Sequence, residues 1–397
     1  MEKNKLFERL KEVTDVVKIN TGFSDLGEKY KPEVLVNPKS IEEIKAIVKM
    51  ANEYKTPIYP IGSGSRFGQG VDPFQGGILL SVKNLDQIIE YRPNNMSVEV
   101  EAGMTITNLQ NILAQDNIFF PVDSGNNRAT IGGLIATNSY GRKKYLYKTT
   151  RFYVMGMEFV SPQGELIRVG GRTIKNVSSY DINQLLAGSW GVLGIITKAT
   201  LRVKPKPEKN LLLNYNTSDF TELIKMIKSI LINEKLSLAS LVFEKLNSNY
   251  LLQLELEGFA DTINFQQGLL KEKYGFKDAE HSIFSETIGP GIISLPLKNY
   301  TQGLEELDKL TNQFSSLKIK GNITSGIINF EISANNELLL NLSRVINTLQ
   351  GTLTFEGNML TTKNRGTGYL TLLKNIKKNI DPNNILVPTS KALKEQV

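Results

Sequence analysis

Three glycine-bearing stretches in the first half of the chain limit its fold most: Ile61-Gly-Ser-Gly-Ser-Arg-Phe-Gly-Gln-Gly70, Pro121-Val-Asp-Ser-Gly-Asn-Asn-Arg-Ala-Thr-Ile-Gly-Gly133 and Gly188-Ser-Trp-Gly-Val-Leu-Gly-Ile-Ile-Thr197. Glycine enters the positive-φ region without the steric cost of a Cβ. Successive N–H groups then turn toward one concavity, a nest for phosphate oxygens. Three such loops in one region suit a large phosphate-bearing ligand wrapped by backbone rather than a small substrate gripped by side chains. The first loop spaces its glycines Gly62-x-Gly64-x-x-x-Gly68, and no helical pattern follows at once. It is therefore neither the Gly-x-Gly-x-x-Gly dinucleotide fingerprint nor a P-loop.

At 397 residues the chain exceeds one ordinary core, so two domains are expected. The net charge of +7 is mild over this length and reads as a lysine-rich surface, not a nucleic-acid-binding stripe. The most basic run, Arg142-Lys-Lys-Tyr-Leu-Tyr-Lys148, is short. The sequence starts without a secretory h-region, and no apolar run approaches the roughly 20 residues of a membrane span, so a cytoplasmic protein is expected. There is no cysteine, hence no disulfide, thiolate nucleophile or cysteine-held iron–sulfur cluster in this chain. The single histidine, His281, rules out a metal site built on several imidazoles, and no metal is expected. Its polar surroundings read as surface rather than as part of a catalytic triad.

Periodicity gives a coarse element map. A charged amphipathic helix is expected within residues 1–30. Ser40 and Glu43 form a capping box ahead of Ile41, Ile44, Ile47, Val48 and Ala51 at helical spacing. Strands are expected at 34–36, 57–61, 78–82 and 97–101, a helix over 105–115, a hairpin around Ser161-Pro-Gln-Gly164, and a bulged strand over 192–203. Lys204-Pro-Lys-Pro207 marks the domain break. Beyond it, strands and helices alternate without a glycine loop feeding a helix, which suggests helices on an antiparallel sheet. The expected division is 1–206, 207–380 and a tail, 381–397, returning to the first domain.

The run from Pro32 to Lys206 resembles the FAD-binding domain of the vanillyl-alcohol oxidase/PCMH flavoprotein family. The resemblance rests on Pro60-Ile-Gly-Ser-Gly-Ser-Arg66, Asp123-Ser-Gly125, Ala129-Thr-Ile-Gly-Gly133, Ala136-Thr-Asn138, Gly141, Thr150-Arg151 and Gly188-Ser-x-Gly-x-Leu-Gly-Ile-Ile-Thr197, in order and spacing. The segment Asp381-Pro-x-x-Ile-Leu386 is similar to the family's closing segment. The resemblance implies an α+β fold, a two-subdomain PCMH-type FAD-binding domain followed by an α+β cap domain with an antiparallel sheet. Carried over by position, Gly62, Ser63, Gly64, Ser65 and Arg66 hold the pyrophosphate, and Asp123, Ser124, Thr130, Gly132 and Gly133 continue along it. Thr137 and Ser139 lie near ribityl or flavin, and Ile195 and Ile196 lie beside a ring of the cofactor.

Many members of that family tether FAD through histidine or cysteine. This chain has no cysteine and no histidine in the first loop, so noncovalent FAD is implied. Relatives acting on 2-hydroxy acids, and the alkyl-dihydroxyacetonephosphate synthase relative, carry several histidines that are missing here. Members usually have Glu where this chain has Trp190, which is either a packing residue or a ring near the flavin. No catalytic base is identifiable. Arg142, Lys143, Lys144, Tyr145 and Tyr147 either clamp a substrate carboxylate or anchor a loop. The chain resembles the histidine-poor companion in the two-flavoprotein glycolate oxidases. That implies a flavin subunit of a glycolate/D-lactate dehydrogenase complex, with a sister catalytic flavoprotein and an iron–sulfur subunit as partners and a small hydroxy acid as the complex's substrate. A free-standing, metal-independent FAD dehydrogenase and a flavin-free scaffold are the competing readings.

Overall fold

A computed structural model describes residues 2–18, 29–67, 71–122, 126–171, 182–232, 235–283, 291–332, 336–355, 358–361, 367–388 and 390. The chain forms two compact units. The first comprises residues up to Tyr140, Thr149–Lys206 and the C-terminal stretch from 365. The second comprises Gly141–Lys148 and Pro207–Asn364. The break falls after Lys206. Two segments lie elsewhere than the sequence division places them: 141–148 groups with the second unit, and helix Thr367–Ile380 groups with the first.

In the first unit, strands Val34–Asn37, Ile78–Ser81 and Ile58–Ile61 are parallel, with Asp15–Lys18 antiparallel on one edge. Helix Ile41–Glu53 connects two of them. The Ser40 hydroxyl accepts from Glu43 N–H at 3.2 Å, and the Glu43 carboxylate accepts from Lys39 N–H at 3.0 Å. The first bond satisfies an N–H that the helix leaves open, and the second ties the residue before the cap to the first turn. Ile44, Ile47, Val48 and Ala51 are buried on one face, as their spacing requires. A second sheet, wholly antiparallel, runs Leu166–Gly170, Val154–Val160, Ile195–Arg202, Ser97–Glu101 and Ile88–Arg92. Its pairing slips by one residue at Thr197, the bulge expected in that strand, and Thr197 Oγ1 donates to Glu158 O at 3.0 Å. Strand Ile88–Arg92 had no clear alternation to announce it, since none of its residues is fully buried.

The first unit's tail is pinned from within. Ile58 N–H donates to Ile385 O (2.7 Å) and Val387 N–H to Ile58 O (2.9 Å), so the tail lies along the strand that feeds the first glycine loop. Lys377 Nζ, nine-tenths buried, reaches Asp381 Oδ2 (2.5 Å), Leu386 O (2.6 Å) and Val192 O (2.9 Å). Asp381 in turn accepts from the N–H groups of Ile385 and Leu386.

The second unit is built on a nine-stranded antiparallel sheet. Helices Phe220–Ile232 and Ala260–Tyr274 pack against strands Lys209–Thr217 and Asn249–Gly258. Strand 249–258 alternates strictly. Leu252, Leu254 and Leu256 enter the apolar core, while Gln253, Glu255 and Glu257 point the other way yet are also buried. Short strands at Lys277–Ala279, Gly291–Ser294, Lys318–Asn322 and Asn358–Thr361 were missing from the sequence map, being too brief for periodicity to register. Each unit has its own apolar cluster. Among the described residues, no helix is long and apolar enough to cross a membrane.

Candidate functional site

A cleft of about 660 Å³, open mouth included, lies in the first unit. Its main wall is the first glycine loop, Gly62 to Arg66, entered from strand Ile58–Ile61. Gly64 has φ +77°, which turns the chain back, and Phe67 N–H closes on Gly64 O at 3.0 Å. The amides of Ser63, Gly64 and Ser65 find no acceptor among the described residues. Ser63 and Gly64 are half-buried and Ser65 is exposed, so these amides are free to meet a ligand in the cleft, and a run of open N–H groups is suited to an anion. Arg66 adds a cation, whose pKa burial lowers against the opposing pull of Tyr140. The charge of a diphosphate would favour that guanidinium.

The opposite wall comes from the second glycine region. Thr130 caps the short helix Ile131–Ala136, its Oγ1 accepting from Gly133 N–H at 3.3 Å. The same hydroxyl presses on the first loop, because a Cβ on Gly62 would lie 2.0 Å from it. Thr137 Oγ1 donates to Gly133 O and lies 2.6 Å from Ser139 Oγ, giving a hydroxyl pair on the wall. Gly62, Ser63, Gly64, Ser65, Arg66, Thr130, Gly133, Thr137 and Ser139 thus meet around one space.

Other expected residues do not line it. Gly132 N–H is taken by Ala102 O at 2.8 Å, and Ile131 N–H by Met104 O at 2.9 Å. Gly132 is required because a Cβ there would sit 2.8 Å from Ala102 Cβ, so it serves close packing rather than an amide nest. Ile195 and Ile196 are buried in the five-stranded sheet opposite Val160 and Phe159. Asp123 and Ser124 lie outside the described residues.

The lining also takes in residues that were not among the expected cofactor contacts, notably Pro60, Phe67, Leu134, Val387 of the tail and Trp190 of the third glycine region. Only Trp190 was flagged by its sequence, as an odd residue in a glycine-rich run. Next to it, Ser189 Oγ is buried with no partner among the described residues, and so is Arg151 Nε, although Arg151 Nη2 donates to Ala187 O. An extended ligand with apolar and polar portions fits this lining: open amides, a cation, hydroxyls, an indole and a valine.

Residues 32–170 match the family model described as an FAD binding domain. This stretch is an FAD-binding domain. The first loop and the Thr130 turn of the FAD-binding domain both fall within it. The chain is also 37% identical over 191 residues to the glycolate oxidase subunit GlcD of Bacillus subtilis (strain 168), covering 47% of this chain and 41% of that protein. It is 40% identical over 173 residues to a D-lactate dehydrogenase of Archaeoglobus fulgidus, covering 44% and 39%. A D-2-hydroxyglutarate dehydrogenase of Stutzerimonas stutzeri is 30% identical over 241 residues, covering 60% and 52%. The alignments therefore span about two fifths to one half of these relatives' length. Among solved structures, an alkyldihydroxyacetonephosphate synthase aligns at TM-score 0.75 with 16% identity, over 97% of this chain and 84% of the other. p-Cresol methylhydroxylase aligns at 0.72 with 16% identity, over 99% and 97%. At that identity the likeness shows the fold alone.

The basic run settles differently. Arg142, Lys143 and Tyr147 belong to the second unit, where they face Glu255 and Glu257. Arg142 Nη2 and Lys143 Nζ lie 3.2 and 3.1 Å from Glu255 Oε1. Lys143 also pairs with Glu257, and the Tyr147 hydroxyl donates to Glu257 Oε2 at 2.6 Å. Asn210 Nδ2 reaches both carboxylates, and Ser240 Oγ donates to Glu255. Burial alone would raise the Glu255 carboxyl, but Lys143, Arg142 and Asn210 outweigh it and hold it below its usual value. Lys144 has partners within the chain, and Tyr145 is partly exposed. His281 is exposed.

Proposed function

We propose that the chain is an FAD-binding oxidoreductase subunit of a 2-hydroxy-acid (glycolate or D-lactate) dehydrogenase assembly, relaying electrons between a sister catalytic flavoprotein and an iron–sulfur protein. Bound noncovalently, the isoalloxazine supplies reversible two-electron and one-electron chemistry. The chain's own part is to hold it. The amides of Ser63, Gly64 and Ser65, with Arg66, take the diphosphate; Thr130 keeps their loop in place; Thr137 and Ser139 meet the polar linker; and Trp190 and Val387 keep water from one side.

The observation that carries the subunit reading is how the basic run is used. Oxidising a hydroxy acid needs a base and a cation or metal for the carboxylate. Arg142 and Lys143 already hold the chain's own Glu255 and Glu257, and a chain with one histidine and no cysteine cannot build an imidazole-rich metal site. The named relatives, one of them a glycolate oxidase subunit, support the substrate class.

The test is anaerobic. The FAD-loaded chain is mixed with glycolate or D-lactate, first alone and then with the catalytic flavoprotein of the same source. The visible flavin band is expected to persist in the first mixture and to bleach in the second. Bleaching by substrate alone would identify a free-standing dehydrogenase and overturn the subunit reading.

A further inference from the structure

Ten non-glycine residues have positive φ among the described residues. Most are asparagines or exposed residues at turns and helix ends, where the left-handed region is ordinary. Trp190 (φ +58°) and Val387 (φ +44°) are of another kind, being respectively large and β-branched. Both line the FAD cleft. Backbone strain of this sort persists only where the surroundings impose it, and it collects at ligand clamps.

The surroundings are visible. Trp190 N–H donates to Ala136 O at 2.8 Å, and Gly188 N–H to Ile135 O at 3.0 Å, which ties this turn to the helix carrying Thr137. Gly191, at φ +79°, is beside it, its Cβ position 3.7 Å from Val387 Cγ2 and 3.8 Å from Pro60 Cγ. The turn therefore presents Trp190 and Val387 to the space above the first glycine loop. The indole N–H has no acceptor, and the ring no aromatic neighbour, among the described residues. A tryptophan in a core normally finds a partner for that N–H. This one is half-buried on a cleft wall.

Resting on the FAD reading above, we propose that Trp190 is a ligand-binding residue whose indole stacks on a planar heteroaromatic ring of the dinucleotide. The chain bears the strained turn to put a ring there. A flat apolar face beside the open amides of Ser63 to Ser65 gives the cleft its two halves, one for a diphosphate and one for a ring joined to it.

Strain and binding make opposite demands, and this separates the proposal from ordinary packing. Trp190→Gly relieves the left-handed penalty and removes the ring; Trp190→Phe keeps a ring. Flavin-stripped full chains would be titrated with FAD by calorimetry and melted without ligand. Trp190→Gly is expected to weaken FAD binding roughly 5- to 150-fold, the equivalent of about 1–3 kcal/mol of stacking, while its unliganded melting temperature stays level or rises. Trp190→Phe is expected to bind within about threefold of wild type, a loss of about 0.65 kcal/mol at most. Repeating the titrations with FMN and with ADP shows which ring is held: the loss follows FMN if isoalloxazine lies on the indole, and ADP if adenine does. Wild-type FAD affinity in Trp190→Gly, or a lower melting temperature without ligand, overturns the proposal and returns Trp190 to packing. Failure of the wild-type chain to bind FAD at all would instead refute the underlying FAD reading.

Discussion

Lys377→Met is expected to destabilise the first unit by about 3–5 kcal/mol, the usual consequence of leaving one member of a buried ion pair alone. The Lys377 ammonium is enclosed by Asp381, Leu386 O and Val192 O, and its pKa is lowered by burial against the raising effect of Asp381. Methionine fills the space but strands the Asp381 carboxylate, which is fully buried. Asp381→Asn strands the ammonium instead and should lose a comparable amount. The double variant should lose clearly less than the sum, because the second change removes the charge that the first left behind. Urea unfolding followed by near-ultraviolet circular dichroism measures this. Additive losses would mean that the two groups act independently and that the tail is not pinned by the pair. The position matters for the cofactor as well, since Val387, just beyond Leu386, lines the cleft.

The second large effect belongs to the other unit. Glu255→Gln is expected to lower stability by up to a similar amount, about 3–5 kcal/mol, because Arg142 then faces an amide on a buried sheet surface while Lys143 keeps only Glu257. The pH dependence has a definite sign. The folded-state pKa of Glu255 is depressed, so its contribution is complete above the ordinary carboxylate value. It is lost as pH falls below that value and through the lowered one. The wild type should therefore lose stability across that acid window, and Glu255→Gln should lose correspondingly less there. Parallel pH profiles for the two proteins would contradict this account. Chemical denaturation from neutral to acid pH, in the presence of fixed salt, gives both curves.

Parts of this arrangement were legible in the chain's own residues. The turn of the first loop was, because Gly62 and Gly64 alternate with small hydroxyl residues after a short apolar strand, although that loop by itself fits a plain turn as well as a ligand cradle. Helix Ile41–Glu53 was, because its capping box and its apolar spacing agree. What stayed hidden depended on distant partners. Gly132 looks like an amide donor until Ala102 is seen beneath it. Ile195 and Ile196 sit in a glycine-rich run, yet their period-two pattern belongs to a sheet core. The buried glutamates were written in the alternation Leu252-Gln-Leu-Glu-Leu-Glu257, but only the partner segment explains how both faces of that strand are covered. Val387 reaches the cleft from nearly the other end of the chain, and no local pattern announces that.

The central claim is that the cleft binds FAD without a covalent bond, with its diphosphate on the open amides between Gly62 and Arg66. Titration of the flavin-stripped full chain with FAD, wild type against Gly62→Ala, tests it most directly. A methyl at position 62 meets Thr130 Oγ1 at 2.0 Å, so the loop must move, at an expected overpacking cost of about 1–3 kcal/mol. The account predicts equimolar binding by the wild type, unmodified FAD recovered on denaturation, and affinity roughly 5- to 150-fold weaker in a Gly62→Ala protein of unchanged circular dichroism. A wild type that takes up no FAD, or a Gly62→Ala chain that holds it as tightly as the wild type, would contradict it.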